Sequence, residues 1–326
     1  MGEPAGIGGE IALAAWLGRR ERTVPPFLLL DDPRRLADLA RRLDWEVRFR
    51  EVAGPAEAAG CFADTLPILP ILLPEPSEPG RPNPANGAAV IESIDRAVAL
   101  VRAGEAAAIV TNPIQKSALY AAGFRWPGHT EYLAHLAGMV EEPVMLLAGG
   151  GLRVALATIH LPLRDVPGSL STDGIVRVAR RTAGALRTDF GIERPRLAVA
   201  ALNPHAGEAG SIGREEIEII APAVAELRQA GIDAAGPFPS DTLFHAGARE
   251  RYDAVICMYH DQALIPLKTL DFETGVNITL GLPFVRTSPD HGTALGIAGM
   301  GTASASSLIA ALETARDIAA RRSVRA

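Results

Sequence analysis

The chain has 326 residues, of which 48% are hydrophobic, and this is enough to bury a core larger than one typical domain needs. Its net charge of -6 excludes non-specific nucleic-acid binding, because such binding needs a cationic face. No stretch of about 18 apolar residues indicates a membrane span, and two isolated cysteines exclude a disulfide framework or a thiolate metal site. We expect a cytoplasmic protein of two domains that binds neither nucleic acid nor a membrane.

Short apolar runs alternate with longer segments of helical periodicity, which predicts a largely parallel α/β sheet. The predicted strands are, in chain order, residues 27–30, 107–110, 143–148, 153–158, 196–201, 254–258 and 276–280. The predicted helices are residues 87–101, 172–186, 214–230 and 303–320. Residues 66–84 are rich in proline, and we predict a loop there.

Three histidines follow predicted strands at the point where each strand ends. They are His160, His205 and His260. Open parallel sheets place ligand sites at the carboxyl ends of their strands, so three imidazoles there can converge on one divalent ion and leave positions open for substrate. Taken singly, each histidine is more typical of a structural residue. Their shared position favours a catalytic metal site.

Two further groups of residues have the chemistry of an anion site. Gly128 precedes His129 and Thr130, where a helix can begin with its N–H groups facing an anion, although a simple helix cap explains the same pattern. Lys268, Asn277 and Arg286 are close in sequence around an extended segment. Such side chains can clamp a phosphate or a carboxylate, and each alone is also typical of a surface.

Residues 291–303 combine a histidine with glycines and small residues in a loop that leads into a helix. A nucleotide can approach the backbone of such a loop closely, and tight packing of the helix is the alternative. The opening segment Gly2–Gly8 is glycine-rich too, but it lacks the spacing and the preceding strand of a Rossmann fingerprint.

Four other polar residues have weaker signals for a role in the site. We expect His135 and His245 to have packing or surface roles, whereas Asp241 is presented by a proline-rich turn and is a candidate for the site. Asp261 adjoins His260 and can orient its imidazole.

With these segments in place, the chain resembles the 4-hydroxythreonine-4-phosphate dehydrogenases of pyridoxal phosphate biosynthesis, from Gly2 to about Ala315. The resemblance is carried by Gly2-Glu3-Pro4-Ala5-Gly6-Ile7-Gly8, Pro127-Gly128-His129-Thr130-Glu131-Tyr132-Leu133-Ala134, Asn203-Pro204-His205-Ala206-Gly207-Glu208, Tyr259-His260-Asp261-Gln262 and Gly275-Val276-Asn277-Ile278-Thr279-Leu280-Gly281-Leu282-Pro283. Several long matches in the family's order are more specific than any single motif.

The resemblance implies the isocitrate/isopropylmalate dehydrogenase-like fold, with two α/β/α domains and a cleft between them. We place one discontinuous domain, with the nucleotide-binding loop, at residues 1–128 plus 287–326, and the metal, substrate and dimerisation domain at residues 129–286. A homodimer is implied, with a metal site shared across its interface. Family members usually carry a short apolar strand before the Gly-Glu-Pro loop, so we expect either a sheet without this strand or a start further upstream.

Roles carry over by matching motif. His160, His205 and His260 are implied as metal ligands, which also makes them catalytic residues. Separately from the resemblance, Lys268 is a candidate catalytic residue for proton transfer if neighbouring cationic groups favour its neutral form. The implied substrate-binding residues are His129, Thr130, Lys268, Asn277 and Arg286. The implied cofactor-binding residues are His291, Gly292, Thr293 and Ala294, in a loop that resembles the adenosine-binding loop of the wider superfamily. NAD or NADP would be the cofactor, together with one Zn, Co, Mg or Mn ion.

The implied reaction oxidises a secondary alcohol on a small phosphorylated hydroxy-acid, passes hydride to NAD and ends in decarboxylation. Within the same class, the alternative substrates are D-erythronate or D-threonate 4-phosphate, and an aromatic dihydrodiol carboxylate is a less favoured one. From other classes, a three-histidine site also suits a metal-dependent hydrolase, with Asp241 or Asp261 as base, and related folds include acyltransferases. Dependence on NAD separates these classes.

Overall fold

The computed structural model describes residues 1–325, in which strands and helices alternate along most of the chain. The strands are β1 Leu29–Asp31, β2 Phe49–Glu51, β3 Leu66–Pro70, β4 Ala108–Val110, β5 Val144–Gly149, β6 Leu152–Leu156, β7 Arg196–Ala200, β8 Asp233–Phe238, β9 Ala254–Cys257, β10 Val276–Leu280 and β11 Val285–Pro289. The helices are α1 Gly8–Leu17, α2 Pro33–Arg42, α3 Pro55–Cys61, α4 Gly87–Arg102, α5 Lys116–Ala121, α6 His129–Leu136, α7 Val166–Ser169, α8 Thr172–Thr188, α9 Ala221–Gln229, α10 Ala246–Arg249, α11 His260–Leu270 and α12 Ser306–Arg325. In the described residues, no helix combines the length and the apolar character that crossing a membrane requires.

The chain divides into two compact units. Unit 1 comprises Met1–Glu142 and Leu282–Ala319, and unit 2 comprises Pro143–Gly281 and the residues from Ala320 onward. Both are mixed α/β structures, as the sequence predicts.

Unit 1 contains a small parallel sheet with the strand order β1-β3-β2 and a second parallel pair, β4 with β11. Its main core packs α1 and α2 on the small sheet through Ile11, Leu13, Leu36 and Ile68, all fully buried. Asp32 begins α2 by accepting hydrogen bonds from the N–H groups of the first turn, and Pro33 follows at a position that needs no N–H donor.

The loop predicted for residues 66–84 is wrong at its start, because β3 is the central strand of the small sheet. The prolines at 67 and 70 indicate a loop, since proline cannot donate to a neighbouring strand. Burial overrides that signal: Leu66 and Ile68 are both inaccessible to solvent, and the flanking N–H groups of Leu66 and Ile71 still pair with the neighbouring strands.

Unit 2 has its strands in the order β10-β5-β6-β9-β7-β8. From β6 to β8 every pair is parallel, whereas β5 is antiparallel to both of its neighbours. A two-residue turn, Gly150-Gly151, joins β5 to β6, with φ values of +55° and +76° that favour glycine. The prediction of a largely parallel sheet is therefore corrected at β5, which is antiparallel. In the sequence, the Gly-Gly pair indicates the hairpin that β5 forms with β6.

The helix predicted for residues 214–230 is present, but its first part is wound as a π-helix. A π-helical turn, Glu216–Ile220, precedes α9. Pro222 has no N–H to donate to the carbonyl four residues earlier, which is a physical reason for the local change of winding. The predicted helix at 303–320 begins at Ser306.

We expect Leu66→Ala to lower the free energy of unfolding by about 2–5 kcal/mol, because it leaves a cavity at the centre of the small sheet. Leu72→Ala is the matched control, since Leu72 is 60% exposed and should change stability by less than about 0.5 kcal/mol. Chemical denaturation measures both values. Equal effects of the two substitutions would contradict the strand assignment.

Candidate active site

The three strand-end histidines all belong to unit 2. His160 follows β6, His260 follows β9 and His205 follows β7. These strands are neighbours in the order β6-β9-β7 and run parallel. The fold therefore delivers the three imidazoles to the same edge of one sheet, which is where parallel sheets bind ligands.

Two of the three rings lie side by side. The ring centroids of His160 and His260 are 5.6 Å apart. Nδ1 of His260 is 2.7 Å from Oδ1 of Asp261, so the carboxylate engages one ring nitrogen and leaves Nε2 for a ligand. Within residues 1–325, however, no three His, Cys, Asp or Glu side chains are grouped closely enough to hold a metal ion. The described chain thus brings together two of the predicted ligands rather than all three.

His205 lies in a loop of unusual backbone conformation. From His205 to Ala209 five successive residues have positive φ, and only Gly207 among them is a glycine. The loop rests on the buried carboxylate of Glu216, which accepts hydrogen bonds from the backbone N–H groups of Leu202 (2.8 Å) and Asn203 (2.7 Å). Glu216 is not predicted from the sequence, because a glutamate near a helix start carries no distinctive pattern.

Gln262 connects the strand ends. Its Oε1 accepts from the N–H of Met258 at 2.6 Å, and its Nε2 donates to the carbonyl of Ala201 at 2.6 Å and to Oγ of Ser240 at 2.8 Å. Thr158 donates its hydroxyl to the carbonyl of Met258 at 2.7 Å. These bonds join the ends of β6, β7 and β9. The Tyr259–Gln262 motif signalled the segment, but not this function of its last residue.

Lys268 and Asn277 also belong to unit 2. Lys268 is on α11, two turns after His260, and its Nζ lies 5.3 Å from the ring centre of Phe272. Asn277 is on β10, and its Oδ1 is enclosed without a hydrogen-bond partner among the described residues. An enclosed amide oxygen of this kind can accept from a ligand. Asp241 lies exposed in a short helical turn.

In unit 1, a buried cation faces a neutral imidazole. Arg286 is 4% exposed and donates from Nε and Nη2 to the hydroxyl of Thr111. Burial lowers the pKa of Arg286 to about 10, against the opposing effect of Glu131, so it stays cationic at neutral pH. Burial, and then the charge of Arg286, lower the pKa of His129 well below 6.5. A buried positive charge favours an anionic ligand.

The helix-start interpretation of this segment is supported in part. α6 begins at His129, its N-cap is Gly128, and no side chain among the described residues caps it, so the alternative of a simple helix cap has no side-chain hydrogen bond to support it. Nε2 of His129 is enclosed and has no hydrogen-bond partner within residues 1–325. Among the described residues, the N–H groups of the first turn are therefore not capped by a side chain, and they lie beside a polar atom that can bind a ligand.

The predicted cofactor loop lies against the glycine-rich opening of the chain. The carbonyl of Thr293 accepts from the N–H of Ile7 at 3.0 Å, and a side chain at Gly6 would come within 2.9 Å of the same oxygen. Ala294 has φ +44°, and Nε2 of His291 is enclosed without a partner among the described residues. The glycines of the opening segment thus serve close backbone packing.

Glu10 holds the continuation of this loop. Its carboxylate is fully buried and accepts from the N–H groups of Gly299 (2.8 Å) and Ala303 (3.1 Å). A cavity of about 620 Å³ in unit 1 is bordered by Gly6 and by Pro79, whose ring lies close to Gly299. Sequence reasoning missed both Glu10 and this cavity.

The sequence and the fold are similar to known dehydrogenases. Solved neighbours are a 4-hydroxythreonine-4-phosphate dehydrogenase from Klebsiella pneumoniae (TM-score 0.87, 40% identity, 98% of both chains) and a terephthalate 1,2-cis-dihydrodioldehydrogenase from Burkholderia xenovorans LB400 (TM-score 0.61, 30% identity, 95% and 93% of the two chains). A 4-hydroxythreonine-4-phosphate dehydrogenase of Caulobacter vibrioides is 54% identical over 99% of this chain and 97% of its own, and one of Bradyrhizobium diazoefficiens is 53% identical over 99% and 96%.

The fold and these relatives define the chain as an oxidoreductase of the α/β dehydrogenase class. Residues 23–315 match the family described as pyridoxal phosphate biosynthetic protein PdxA. The chain belongs to this family, which confirms the resemblance found from its motifs.

The lowered pKa of His129 predicts a pH dependence of stability. Because the unfolded chain binds this proton at the usual pKa of 6.5 and the folded chain only at lower pH, stability should fall as pH decreases below 6.5. We expect His129→Gln to abolish this loss, which is at most about 1.4 kcal/mol per pH unit. Denaturation of both proteins at about pH 7.5 and about pH 5.5 measures it.

The exposed His135 on the same helix provides the control, and His135→Gln should keep the pH dependence of the unsubstituted protein. A stability difference between the unsubstituted protein and His129→Gln that does not vary with pH would contradict the assignment of a neutral His129.

Proposed function

We propose that this chain oxidises 4-phosphooxy-L-threonine to 2-amino-3-oxo-4-phosphooxybutanoate, which decarboxylates to 3-amino-2-oxopropyl phosphate in pyridoxal 5'-phosphate biosynthesis. The reaction depends on NAD and a divalent metal ion. The observation that carries the proposal is the placement of His160, His205 and His260 after three neighbouring parallel strands. Membership of the PdxA family and relatives named for this substrate add support.

The donor set of these histidines fits a divalent ion. Imidazole suits Zn and Co, and substrate oxygens can complete the shell of Mg or Mn. The contact between His260 and Asp261 is the second partner that a ligating histidine usually has. The bound ion would supply Lewis-acid polarisation of the substrate hydroxyl and, after oxidation, of the carbonyl oxygen. We further propose a homodimer with the site shared across its interface, in keeping with the absence of a three-residue metal group within residues 1–325.

The proposed substrate-binding residues divide into donors and acceptors. Arg286 stays cationic at neutral pH and can bind a phosphate or carboxylate through its planar guanidinium. His129 stays neutral, so its enclosed Nε2 offers a hydrogen bond without adding charge. Asn277 contributes an enclosed oxygen that can accept from a hydroxyl or ammonium group, and Thr130 contributes its backbone N–H in the first turn of α6.

Lys268 would act as the proton-transfer residue. Loss of carbon dioxide leaves an electron pair on the carbon that carried the carboxylate, and this carbon takes up a proton to complete the product. An ammonium group can donate that proton and afterwards recover one from solvent. Lys268 stands two turns after His260 on the same helix, α11.

His291, Gly292, Thr293 and Ala294 would bind the cofactor, NAD or NADP, which accepts the hydride. The enclosed Nε2 of His291 supports this role, because it has no hydrogen-bond partner among the described residues and can bond to a ligand. We further propose that unit 1 and unit 2 correspond to the two α/β/α domains of the isocitrate/isopropylmalate dehydrogenase type, which the sequence places at residues 1–128 plus 287–326 and residues 129–286. We also propose a cytoplasmic location.

The activity is tested by NADH formation with the metal-loaded enzyme and 4-phosphooxy-L-threonine, followed by absorbance. We expect turnover with this substrate, abolished by a chelator and restored by added metal. D-erythronate and D-threonate 4-phosphate are assayed in parallel, as is a cis-dihydrodiol of terephthalate, because a terephthalate dihydrodiol dehydrogenase is a structural neighbour. Turnover with only one of these alternative compounds would identify that compound as the substrate instead. Metal-dependent hydrolysis without NAD would identify the protein as a hydrolase instead of a dehydrogenase.

We expect Lys268→Met to lower kcat at least about 100-fold, the lower range for loss of a general acid, with metal affinity unchanged. Thr269→Met places the same side chain at the next, exposed position of α11 and should leave kcat within about twofold. Steady-state kinetics and metal titration give the two readouts. Unchanged turnover in Lys268→Met would exclude Lys268 from proton transfer.

A further inference from the structure

The loop that carries His205 has a backbone conformation that needs contacts from outside the loop. Its residues from His205 to Ala209 all have φ between +44° and +78°. Side chains with a Cβ disfavour this left-handed region, and four of the five residues have one. An unsupported chain would leave the conformation, so contacts from outside the loop must stabilise it.

The carboxylate of Glu216 supplies these contacts. Glu216 is 3% exposed. Its Oε1 accepts from the backbone N–H groups of Leu202 and Asn203, and its Oε2 accepts from Nδ2 of Asn203 at 2.9 Å. Three donors on one buried carboxylate replace the water that it lost on folding. The carboxylate therefore fixes both the entry to the loop and the asparagine that precedes Pro204.

The loop apex also lies directly on this carboxylate. A Cβ at Gly207 would be 2.6 Å from Oε2 of Glu216 and 2.8 Å from the carbonyl oxygen of Gly213. Only glycine, which has no Cβ and tolerates φ of +78°, fits there. The π-helical turn Glu216–Ile220 begins at the same glutamate, and such turns are frequent at functional sites.

We propose that Glu216 is a positioning residue for His205: its carboxylate holds the 202–209 loop in the left-handed conformation that directs the imidazole toward the metal. This inference rests on the proposed function, in which His205 is a metal ligand. Glu216 does not touch His205 in the contacts described above, so it acts through the backbone of the loop.

Two substitutions of Glu216 distinguish the effect of its hydrogen bonds from the effect of its side-chain volume. Glu216→Gln keeps the size and one acceptor oxygen but loses the charge and turns an NH₂ group toward Nδ2 of Asn203. Glu216→Ala removes both acceptor oxygens and all three hydrogen bonds. Glu218→Gln is the matched control, because Glu218 is exposed and pairs with Arg214 on the helix surface.

The readouts are Co²⁺ affinity by titration and the visible spectrum of the bound Co²⁺, which reports the ligand set. We expect Glu216→Ala to weaken Co²⁺ binding about 10- to 100-fold, the usual range for residues that orient a ligand, and to change the spectrum. Glu216→Gln should show a smaller loss with the same trend, and Glu218→Gln should match the unsubstituted protein. If Glu216→Ala does not fold, Glu216→Gln alone decides.

Amide hydrogen exchange in the metal-free protein provides an independent readout. Exchange at Leu202 and Asn203 should become faster in both Glu216 variants. Unchanged Co²⁺ affinity and spectrum in the variants, with or without faster exchange, would overturn the positioning role. If the unsubstituted protein binds no Co²⁺, the proposed metal site itself is overturned, and exchange then shows whether Glu216 anchors the loop at all.

Discussion

Buried carboxylates that accept backbone N–H groups hold the loops on which the site depends. Glu216 takes two such bonds from the loop that carries His205, and Glu10 takes two from the loop that follows Ala294. A carboxylate removed from water must find donors, and a loop of small residues has N–H groups that no strand pairs. The loop N–H groups supply the donors that the carboxylate needs, and the carboxylate supplies the acceptors that the loop needs. These loops therefore stay ordered although they have few side chains of their own to pack.

The sheets determine the position of the functional side chains, and the loops determine their orientation. Neighbouring parallel strands end at one edge, so residues far apart in sequence, such as His160 and His260, meet there without a local motif. A chain of net charge -6 must meet an anionic substrate with a few placed cations. In the proposed site Arg286 would fulfil this requirement, because its burial strengthens the attraction for an anion and its pKa of about 10 preserves the charge.

Much of this arrangement can be predicted from sequence, because apolar runs bounded by polar residues identify buried strands and the histidines follow them. Signals of local propensity were less reliable: the prolines around Ile68 suggested a loop, whereas complete burial makes the segment a central strand. The anchors were not predictable, since Glu10, Glu216 and Gln262 act through backbone groups of distant loops. The conformation of the loop that carries His205 also lies beyond sequence reasoning, because no pattern specifies five successive residues with positive φ.

Anomalous diffraction from crystals grown with zinc tests the central claim most directly, because it locates the metal and every atom bound to it. We expect one zinc per site, with ring nitrogens of His160, His205 and His260 at about 2.0–2.1 Å, all from one chain or divided between two. Zinc bound elsewhere, or bound at this sheet edge without His205, would contradict the assignment of the three strand-end histidines as one metal site.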